Sequence, residues 1–283
     1  MGNHVNVAEP RLAAHLDRCW DAYRKGMLAE LIALLPPCRE VMARVHDLDP
    51  QSRGNAEVEL DMLTVTVTMV AGAHPTECLR VAAELVDRVA TADAHCDGVH
   101  RLAAFASGVH AAMRVAKLST AEKRFQLALA EARGLTAEDG EAGVSLDDVC
   151  AVLGGAGLHL AGAAAAGGDF RTTLALLEHS ALTAAELGRE HYVLGQYFGP
   201  EHVAATRCIC LVSLQKYDEA LEVGRGVTAG ALIPLLHATL FRAMAEAADR
   251  LERRGAADVL RDQAERVAPS LARQFGRDLH PPS

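Results

Sequence analysis

Aromatic residues are scarce in this sequence. Phe, Tyr and Trp make up 4% of the 283 residues, whereas hydrophobic residues as a whole make up 50%. With so few large rings, the core must be built mainly from Ala, Leu and Val. Ala and Leu are among the best helix formers, and small side chains let helices approach closely. The composition therefore favours an all-α fold with closely spaced helix layers.

An excess of basic residues is also absent. The chain has 28 Lys and Arg against 37 Asp and Glu, which gives a net charge of −9 and a pI near 5.8. Domains that bind nucleic-acid duplexes are usually basic, with Lys and Arg clustered on one face. We therefore expect no direct nucleic-acid binding.

The sequence lacks the ligand pairs of a zinc site and the glycine motifs of nucleotide sites. His95, Cys96 and His100 are clustered, but Cys208 and Cys210 would point to different sides of a helix. Seven cysteines, an odd number without a regular framework, predict free thiols in a reducing cytoplasm. We therefore expect neither a metal ion nor a cofactor.

One uncharged stretch, Val149–Gly168, is long enough to cross a bilayer. It is rich in Ala and Gly, contains His159, and lies between the acidic residues Asp148 and Asp169. This pattern favours a buried helix of a soluble protein, so we expect no contact with a membrane.

The same stretch begins a helical hairpin that organises the chain. Val149–Ala166 and Phe170–Leu187 are predicted helices, joined by Gly167-Gly168-Asp169 with Asp169 as N-cap. The glycines of the first helix would let another backbone approach closely. Phe170, Leu174, Leu177 and Ala181 of the second helix stand at i, i+4, i+7 and i+11, so they are predicted to form one apolar face. A hairpin with two apolar sides needs similar neighbours to cover it.

Similar turns recur along the chain, near Gly26, Ala73, Leu118, Gly168, Lys216 and Gly255. Such a near-constant spacing is typical of stacked helical pairs. We therefore predict one domain over 1–283, made of antiparallel helical hairpins, with a flexible lead at 1–9 and a C-terminal tail at 269–283.

Two segments need a separate interpretation. Within Thr64–Thr68, Thr and Val alternate, which is typical of a strand. However, an apolar helical stripe runs through the same segment, formed by Val58, Met62, Val65 and Met69, so we predict a helix. Gly188–Gly199 is predicted to be an irregular connection. Its aromatic content indicates that it packs over a groove.

Four short segments carry a family resemblance. They are Lys216-Tyr217-Asp218-Glu219-Ala220-Leu221-Glu222; more weakly Gly168-Asp169-Phe170 followed by Leu174; Phe198-Gly199-Pro200-Glu201-His202-Val203 followed by Arg207; and Trp20-Asp21-Ala22-Tyr23-Arg24-Lys25-Gly26 with Leu34-Leu35-Pro36. Together they resemble the tetratricopeptide-like arrays of actinobacterial Xre-type transcriptional regulators. The resemblance implies a right-handed superhelical solenoid with a concave groove, and a role in regulating transcription or specialised metabolism. Because no helix-turn-helix precedes Trp20, it implies the sensing or scaffolding half of such a regulator.

Polar residues on the predicted inner helices are the candidate groove residues: Asp61, His110, Arg114, His159, His202, Arg207, His237 and Arg242. The candidate residues of the loop over the groove are His191, Tyr192, Tyr197 and Phe198. For each groove residue the alternative is an ordinary solvated helix face, and for His159 it is a hydrogen-bonded core histidine. Lining one groove, these side chains would suit a peptide or a small polar ligand.

Two functional hypotheses follow, with a third beside them. The first is a cytoplasmic binding or regulatory protein that captures a peptide, a partner protein or a small signal molecule in its groove. The second is an enzyme of specialised metabolism with its active site under the 188–199 loop; the third is scaffolding through a homodimer. Ionisable groups with strongly shifted pKa values in a closed pocket would favour catalysis, and a long open groove would favour binding.

Overall fold

A computed structural model describes residues 10–91, 94–115, 117–137 and 144–269, so the predicted lead and nearly all of the tail lie outside the described residues. These residues form twelve α-helices and one two-stranded sheet. The helices are α1 (Pro10–Arg24), α2 (Leu28–Arg44), α3 (Pro50–Val70), α4 (Pro75–Val89), α5 (Gly98–Arg114), α6 (Leu118–Leu135), α7 (Leu146–Ala166), α8 (Phe170–Leu187), α9 (Pro200–Ser213), α10 (Tyr217–Gly226), α11 (Pro234–Arg250) and α12 (Arg254–Val267). The strands are β1 (His191–Val193) and β2 (Gln196–Phe198). The all-α prediction is confirmed.

The central helical hairpin is α7 and α8, with the turn where it was predicted. Asp169 caps α8 because its carboxylate accepts a hydrogen bond from the Thr172 amide at 3.0 Å. Of the predicted apolar face of α8, Leu177 is buried, whereas Phe170 is 44% exposed and Ala181 is exposed as well. The buried side consists of Thr173, Leu177, Ser180 and Ala184. The Thr173 hydroxyl can be buried because it donates to the Asp169 carbonyl.

The ambiguous threonine run is helical, as predicted, and lies in the last turns of α3. The hydroxyls of Thr64 and Thr68 donate to the carbonyls of Leu60 and Thr64, each at 2.7 Å. These bonds satisfy the threonine side chains inside the helix, while Val65 between them is fully buried.

The helices pack as a row of six helical hairpins. Each odd-numbered helix contacts the even-numbered helix that follows it, and it also contacts the next odd-numbered helix. Each even-numbered helix from α2 to α10 contacts the next odd-numbered helix as well. We call α1, α3, α5, α7, α9 and α11 the inner helices, because they form the continuous row and line the central cavity described below.

The two ends of this row touch each other, which the sequence did not predict. Leu28 and Val70, at the beginning of α2 and the end of α3, share a buried cluster with Ala238 of α11 and Ala264 of α12. A Cβ atom on Gly26 would lie 3.1 Å from Cβ of Pro234. The inner face is therefore closed rather than an open groove, so that part of the prediction is corrected.

The segment predicted as an irregular connection is a β-hairpin. Its strands pair antiparallel, and Leu194 and Gly195 turn between them with φ of 45° and 77°. A side chain on Gly195 would also collide with Trp20, since its Cβ would lie 2.5 Å from Cη2 of that ring. The β-hairpin contacts α7 and α9, and it fills part of the space inside the row.

The glycines of α7 explain how the β-hairpin fits. The Phe198 ring is fully buried and lies against Gly154, and the Tyr197 carbonyl lies close to Gly155. Gln196 donates from its side-chain amide to the Ser107 hydroxyl of α5 at 3.3 Å. The predicted close approach to α7 is thus confirmed, and at Gly154 and Gly155 the approaching element is a strand.

One helix of the described residues, α7, is long and apolar enough to span a bilayer by length and composition alone. Of its most apolar window, 72% is buried inside the protein. This burial is typical of a core helix in a soluble protein.

Candidate ligand cavity

A cavity of about 240 Å³ lies between the β-hairpin and the inner helices. We call it the central cavity. All six inner helices or the residues just before them contribute to its wall, and so does β2. Its lining residues with polar side chains are Tyr23, His110, Arg114, His159, Gln196, Tyr197, His202, Thr206 and Thr239.

Two histidines form the centre of the polar wall. His110 of α5 and His159 of α7 stack with ring centroids 3.9 Å apart and an angle of 3° between the planes. Burial lowers the pKa of His110 to about 3, helped by the nearby Arg114 charge, and burial lowers the pKa of His159 well below its usual value. Both rings are therefore neutral near pH 7. Neither ring forms a hydrogen bond with any residue that the structure describes, although each neutral ring carries a donor and an acceptor.

A third histidine has a defined tautomer. His202 Nδ1 lies 2.5 Å from the backbone carbonyl oxygen of Tyr197, which can only accept a hydrogen bond. Burial lowers the pKa of His202 to about 4, so the ring is neutral. Nδ1 therefore carries the proton, and Nε2 is left as an acceptor. The Tyr197 ring stacks on His202, and its hydroxyl donates to the Ala231 carbonyl.

Arg114 is the charged side chain among the described residues that line the cavity, and none of these lining residues is Asp or Glu. Arg114 and Thr239 are exposed, whereas the other lining residues are buried or half-buried. These two residues mark where the cavity reaches solvent.

The remainder of the wall is apolar. It is formed by Met69, Val70, Met113, Leu158, Ile209, Cys210, Ile233, Leu235 and Leu236, with Gly162 and Gly195. A largely apolar cavity with some polar groups in its wall is the usual form of a small-molecule site.

Four of the eight predicted groove residues line the cavity: His110, Arg114, His159 and His202. The other four do not. Asp61 is paired with Arg88 of α4, and Arg207 is exposed on α9. His237 packs against Phe241 with ring centroids 4.4 Å apart, and burial lowers the pKa of Arg242.

Of the predicted loop residues, Tyr197 alone lines the cavity. His191 pairs through Nε2 with Asp148 Oδ1 at 2.7 Å, which ties β1 to the beginning of α7. The Tyr192 ring lies 5.1 Å from the Arg24 guanidinium carbon, and its buried hydroxyl has no hydrogen-bond partner among the described residues. Phe198 is the anchor on Gly154. The segment packs against α7 and α9, and its role as a cover over a binding site stays a prediction.

Four polar residues of the wall are not among the predicted site residues: Tyr23, Gln196, Thr206 and Thr239. Thr206 lies one turn after the predicted His202 on α9. Tyr23 sits in the apolar stripe of α1 and gave no polar signal, and burial raises its pKa to about 12. Gln196 could have been identified from its position, because it directly precedes the predicted loop residue Tyr197.

A second buried polar cluster joins α1, α3 and α5 away from the cavity. Glu59 is fully buried and accepts a hydrogen bond from Trp20 Nε1 at 2.6 Å. His100 lies between two carboxylates, with Nε2 3.3 Å from Glu59 and Nδ1 2.8 Å from Asp97. Despite its burial, these bonds raise the pKa of His100 to about 9. Asn55 completes the cluster by bonding Asp97 at 2.8 Å. With its acidic groups satisfied, this cluster links three inner helices.

The histidines of the cavity do not form a metal site. No group of three or more His, Cys, Asp or Glu in the described ranges could hold a metal ion. The lone pairs of His110 and His159 lie in two parallel planes, so they do not converge on one point between the rings.

No protein-family model and no curated protein matches the chain. The crystal structure of BtubC (BKLC) from P. vanneervenii is similar over 95% of this chain and 94% of that chain, with 16% sequence identity and a TM-score of 0.44. A likeness this weak carries no argument, so the functional reasoning depends on the cavity itself.

Proposed function

We propose that the protein is a binding protein that captures a small molecule in the central cavity. The observation that carries the proposal is a largely apolar cavity, open to solvent at one end, with unused hydrogen-bonding groups on His110 and His159. A ligand in the cavity can supply the hydrogen-bond partners that these ring nitrogens lack among the described residues. Enclosed apolar walls with a few convergent polar groups are what ligand sites share.

A small molecule fits better than a peptide or a protein segment. Peptide recognition in helical arrays uses an extended concave surface, whereas here the ends of the row meet and the β-hairpin occupies the inner face. The cavity of about 240 Å³ is slightly below the range of about 300–1,000 Å³ for drug-sized ligands. The ligand is therefore expected to be compact.

Catalysis is the second candidate, and the shifted histidine pKa values favour it, because such groups cluster in active sites. However, a pKa of about 3 for His110 and about 4 for His202 makes each ring a weak general base near pH 7. Among the lining residues that the structure describes, none has a carboxylate to orient either ring, as one does in hydrolytic triads. These features support binding over proton transfer.

A regulatory role would use the contact between the two ends of the row. Leu28, Val70, Ala238 and Ala264 form a cluster that is separate from the main core. A ligand that binds the closed form stabilises it by mass action. Ligand binding in the cavity would therefore strengthen the contact between the ends, and a partner protein or a second copy that binds there would respond to it. Regulation of transcription or specialised metabolism, in the cytoplasm, remains the proposed context. All seven cysteines are free, which fits a reducing compartment.

Native mass spectrometry of the protein purified from the organism that makes it tests the proposal. We expect a small molecule to be retained by the wild-type chain, lost in His159→Phe and kept in His46→Phe. His46 is exposed and outside the cavity, so it is the matched control. The proposal fails if the folded wild-type protein retains nothing and no small molecule raises its melting temperature.

A further inference from the structure

The exposed side of α8 has a leucine at its middle and a charge of opposite sign towards each end. Arg171, Ala175, Leu182 and Glu186 are all exposed, and 67% of Leu182 is accessible to solvent. These residues stand at i, i+4, i+11 and i+15, so they lie on one face of the helix. We call this face the α8 stripe.

The α8 stripe forms one edge of a groove of about 900 Å³ that runs between α6 and α8 over α7. Arg171, Ala175 and Glu186 belong to both the stripe and the groove. The apolar lining of the groove includes Phe125, Leu129, Val149, Leu153 and Leu176. A single exposed leucine is ordinary on a protein surface, whereas a leucine that borders an apolar groove belongs to a larger area typical of an interaction site.

The order of residues along the α8 stripe makes it complementary to a second copy of itself. Consider two copies of α8 packed antiparallel about a two-fold axis midway between Ala175 and Leu182, which is also midway between Arg171 and Glu186. Arg171 then lies opposite Glu186 of the second copy, and Ala175 lies opposite Leu182 of the second copy. A two-fold axis repeats every contact. The helix pair therefore gains two ion pairs and two contacts between a large and a small apolar side chain.

The charges also define one register for this pairing. Moving the second copy by one helical turn would place Glu186 opposite Ala175, or Arg171 opposite Leu182, and the end charges would lose their partners. A surface that fits itself in one register is the property of an isologous interface. A second copy of this chain is therefore the occupant that the stripe fits.

We propose that two copies of this chain associate reversibly through the α8 stripe, as an antiparallel helix pair that also covers the groove beside it. The interface is small, because α8 has 18 residues and is about 27 Å long. The two copies of Glu178 lie near the axis, where their like charges oppose association. We therefore expect a dissociation constant on the order of 10 µM.

Sedimentation velocity of the full chain, at concentrations below and above the expected dissociation constant, tests the charge pairs. Arg171→Glu and Glu186→Arg should each weaken the dimer about tenfold, because each converts two opposite-charge pairs into like-charge pairs. The double variant Arg171→Glu/Glu186→Arg restores opposite charges and should return to within about threefold of wild type. Arg207→Glu is the control of equal charge change, since Arg207 is exposed on α9, outside the stripe.

The apolar contact is tested in the same way. Leu182→Gln keeps the length of the side chain but removes the apolar contact in both copies, so it should weaken the dimer at least about tenfold. Val259→Gln on α12, at a side chain 56% exposed, should leave the dimer unchanged. Circular dichroism of all variants checks that they are folded.

Two results would overturn the proposal. One is a wild-type chain that stays monomeric at every concentration, even if the stripe binds another protein. The other is a dimer that Arg171→Glu and Leu182→Gln leave unchanged, or a double charge variant as weak as the single ones. The described residues that line the central cavity belong to other elements than α8. Failure here would therefore leave the retention of a small molecule, and with it the proposed function, untouched.

Discussion

Replacing Gly154 by alanine tests how the β-hairpin is seated inside the row of helices. The new Cβ would lie 2.6 Å from two atoms of the Phe198 ring, closer than Cβ atoms approach any neighbour. Phe198 is fully buried, so its ring cannot turn outward to make room. The added methyl group must therefore displace β2 from α7.

The expected cost follows from two opposing effects. Overpacking a well-packed core costs about 1–3 kcal/mol, whereas Gly to Ala in a helix gains up to about 1 kcal/mol. Because the collision involves several atoms of a rigid ring, we expect a net loss of about 1–2 kcal/mol in the free energy of unfolding. At about 2–4 °C per kcal/mol, the melting temperature should fall by about 2–8 °C.

Thermal unfolding followed by circular dichroism measures this change, with two matched variants. Gly134→Ala in α6 introduces a Cβ with no atom within 4 Å, so it should be neutral or stabilising. Gly154→Ala combined with Phe198→Leu should recover part of the loss, since the shorter side chain removes the ring atoms that collide. The reasoning is refuted if Gly154→Ala is as stable as Gly134→Ala.

Three further predictions concern charge and closure. Because the folded-state pKa of His100 is raised to about 9, its contribution to stability should be complete below pH 6.5 and lost as the pH rises through about 9. The free energies of unfolding of wild type and His100→Gln, measured with urea across this range, should therefore converge at high pH. The pKa of His159 is lowered, so the unfolded chain gains protons first and stability should fall as the pH drops below 6.5. In His159→Phe that decline should be shallower, and an unchanged slope between pH 7 and pH 5 would be inconsistent with a neutral buried ring. Leu28→Ala should cost about 2–3 kcal/mol and increase hydrogen exchange in α2 and α12, whereas Leu146→Ala, at a side chain 64% exposed, should do neither; equal exchange in both variants would argue against contact between the ends.

Local signals were sufficient for the helices themselves. The turn Gly167-Gly168-Asp169, with its capping carboxylate, marks the boundary between α7 and α8 to the residue. The helical stripe through Val58, Met62 and Val65 outweighed the alternation of the threonines, because threonine hydroxyls can bond to the preceding turn.

The closure of the row could not be predicted from the same signals. A helical hairpin has the same apolar pattern whether the row stays open or bends until Leu28 and Ala264 share one buried cluster. The bend is the sum of many small packing angles, each set by tertiary contacts. The β-hairpin was not predicted either, because two strands of three residues are too short to show the polar and apolar alternation of a strand.

The cavity residues were found in part. His110, His159 and His202 stood out as polar residues within apolar helices, and all three line the cavity. Asp61 and Arg207 looked equally promising in sequence. Whether such a residue faces the cavity depends on how its helix is rotated, and the sequence does not give that rotation.

The central claim is that the cavity between the β-hairpin and the inner helices is the binding site. Methyl NMR spectra of the full chain, labelled at the methionine methyl groups and titrated with 1-hexanol as a small probe with one polar group and an apolar chain, test it directly. Met69 and Met113 line the cavity, whereas Met42, Met62 and Met244 do not. We predict shifts confined to the signals of Met69 and Met113, assigned with Met→Leu variants. Shifts at Met42 or Met244 with Met69 and Met113 unchanged would contradict the account.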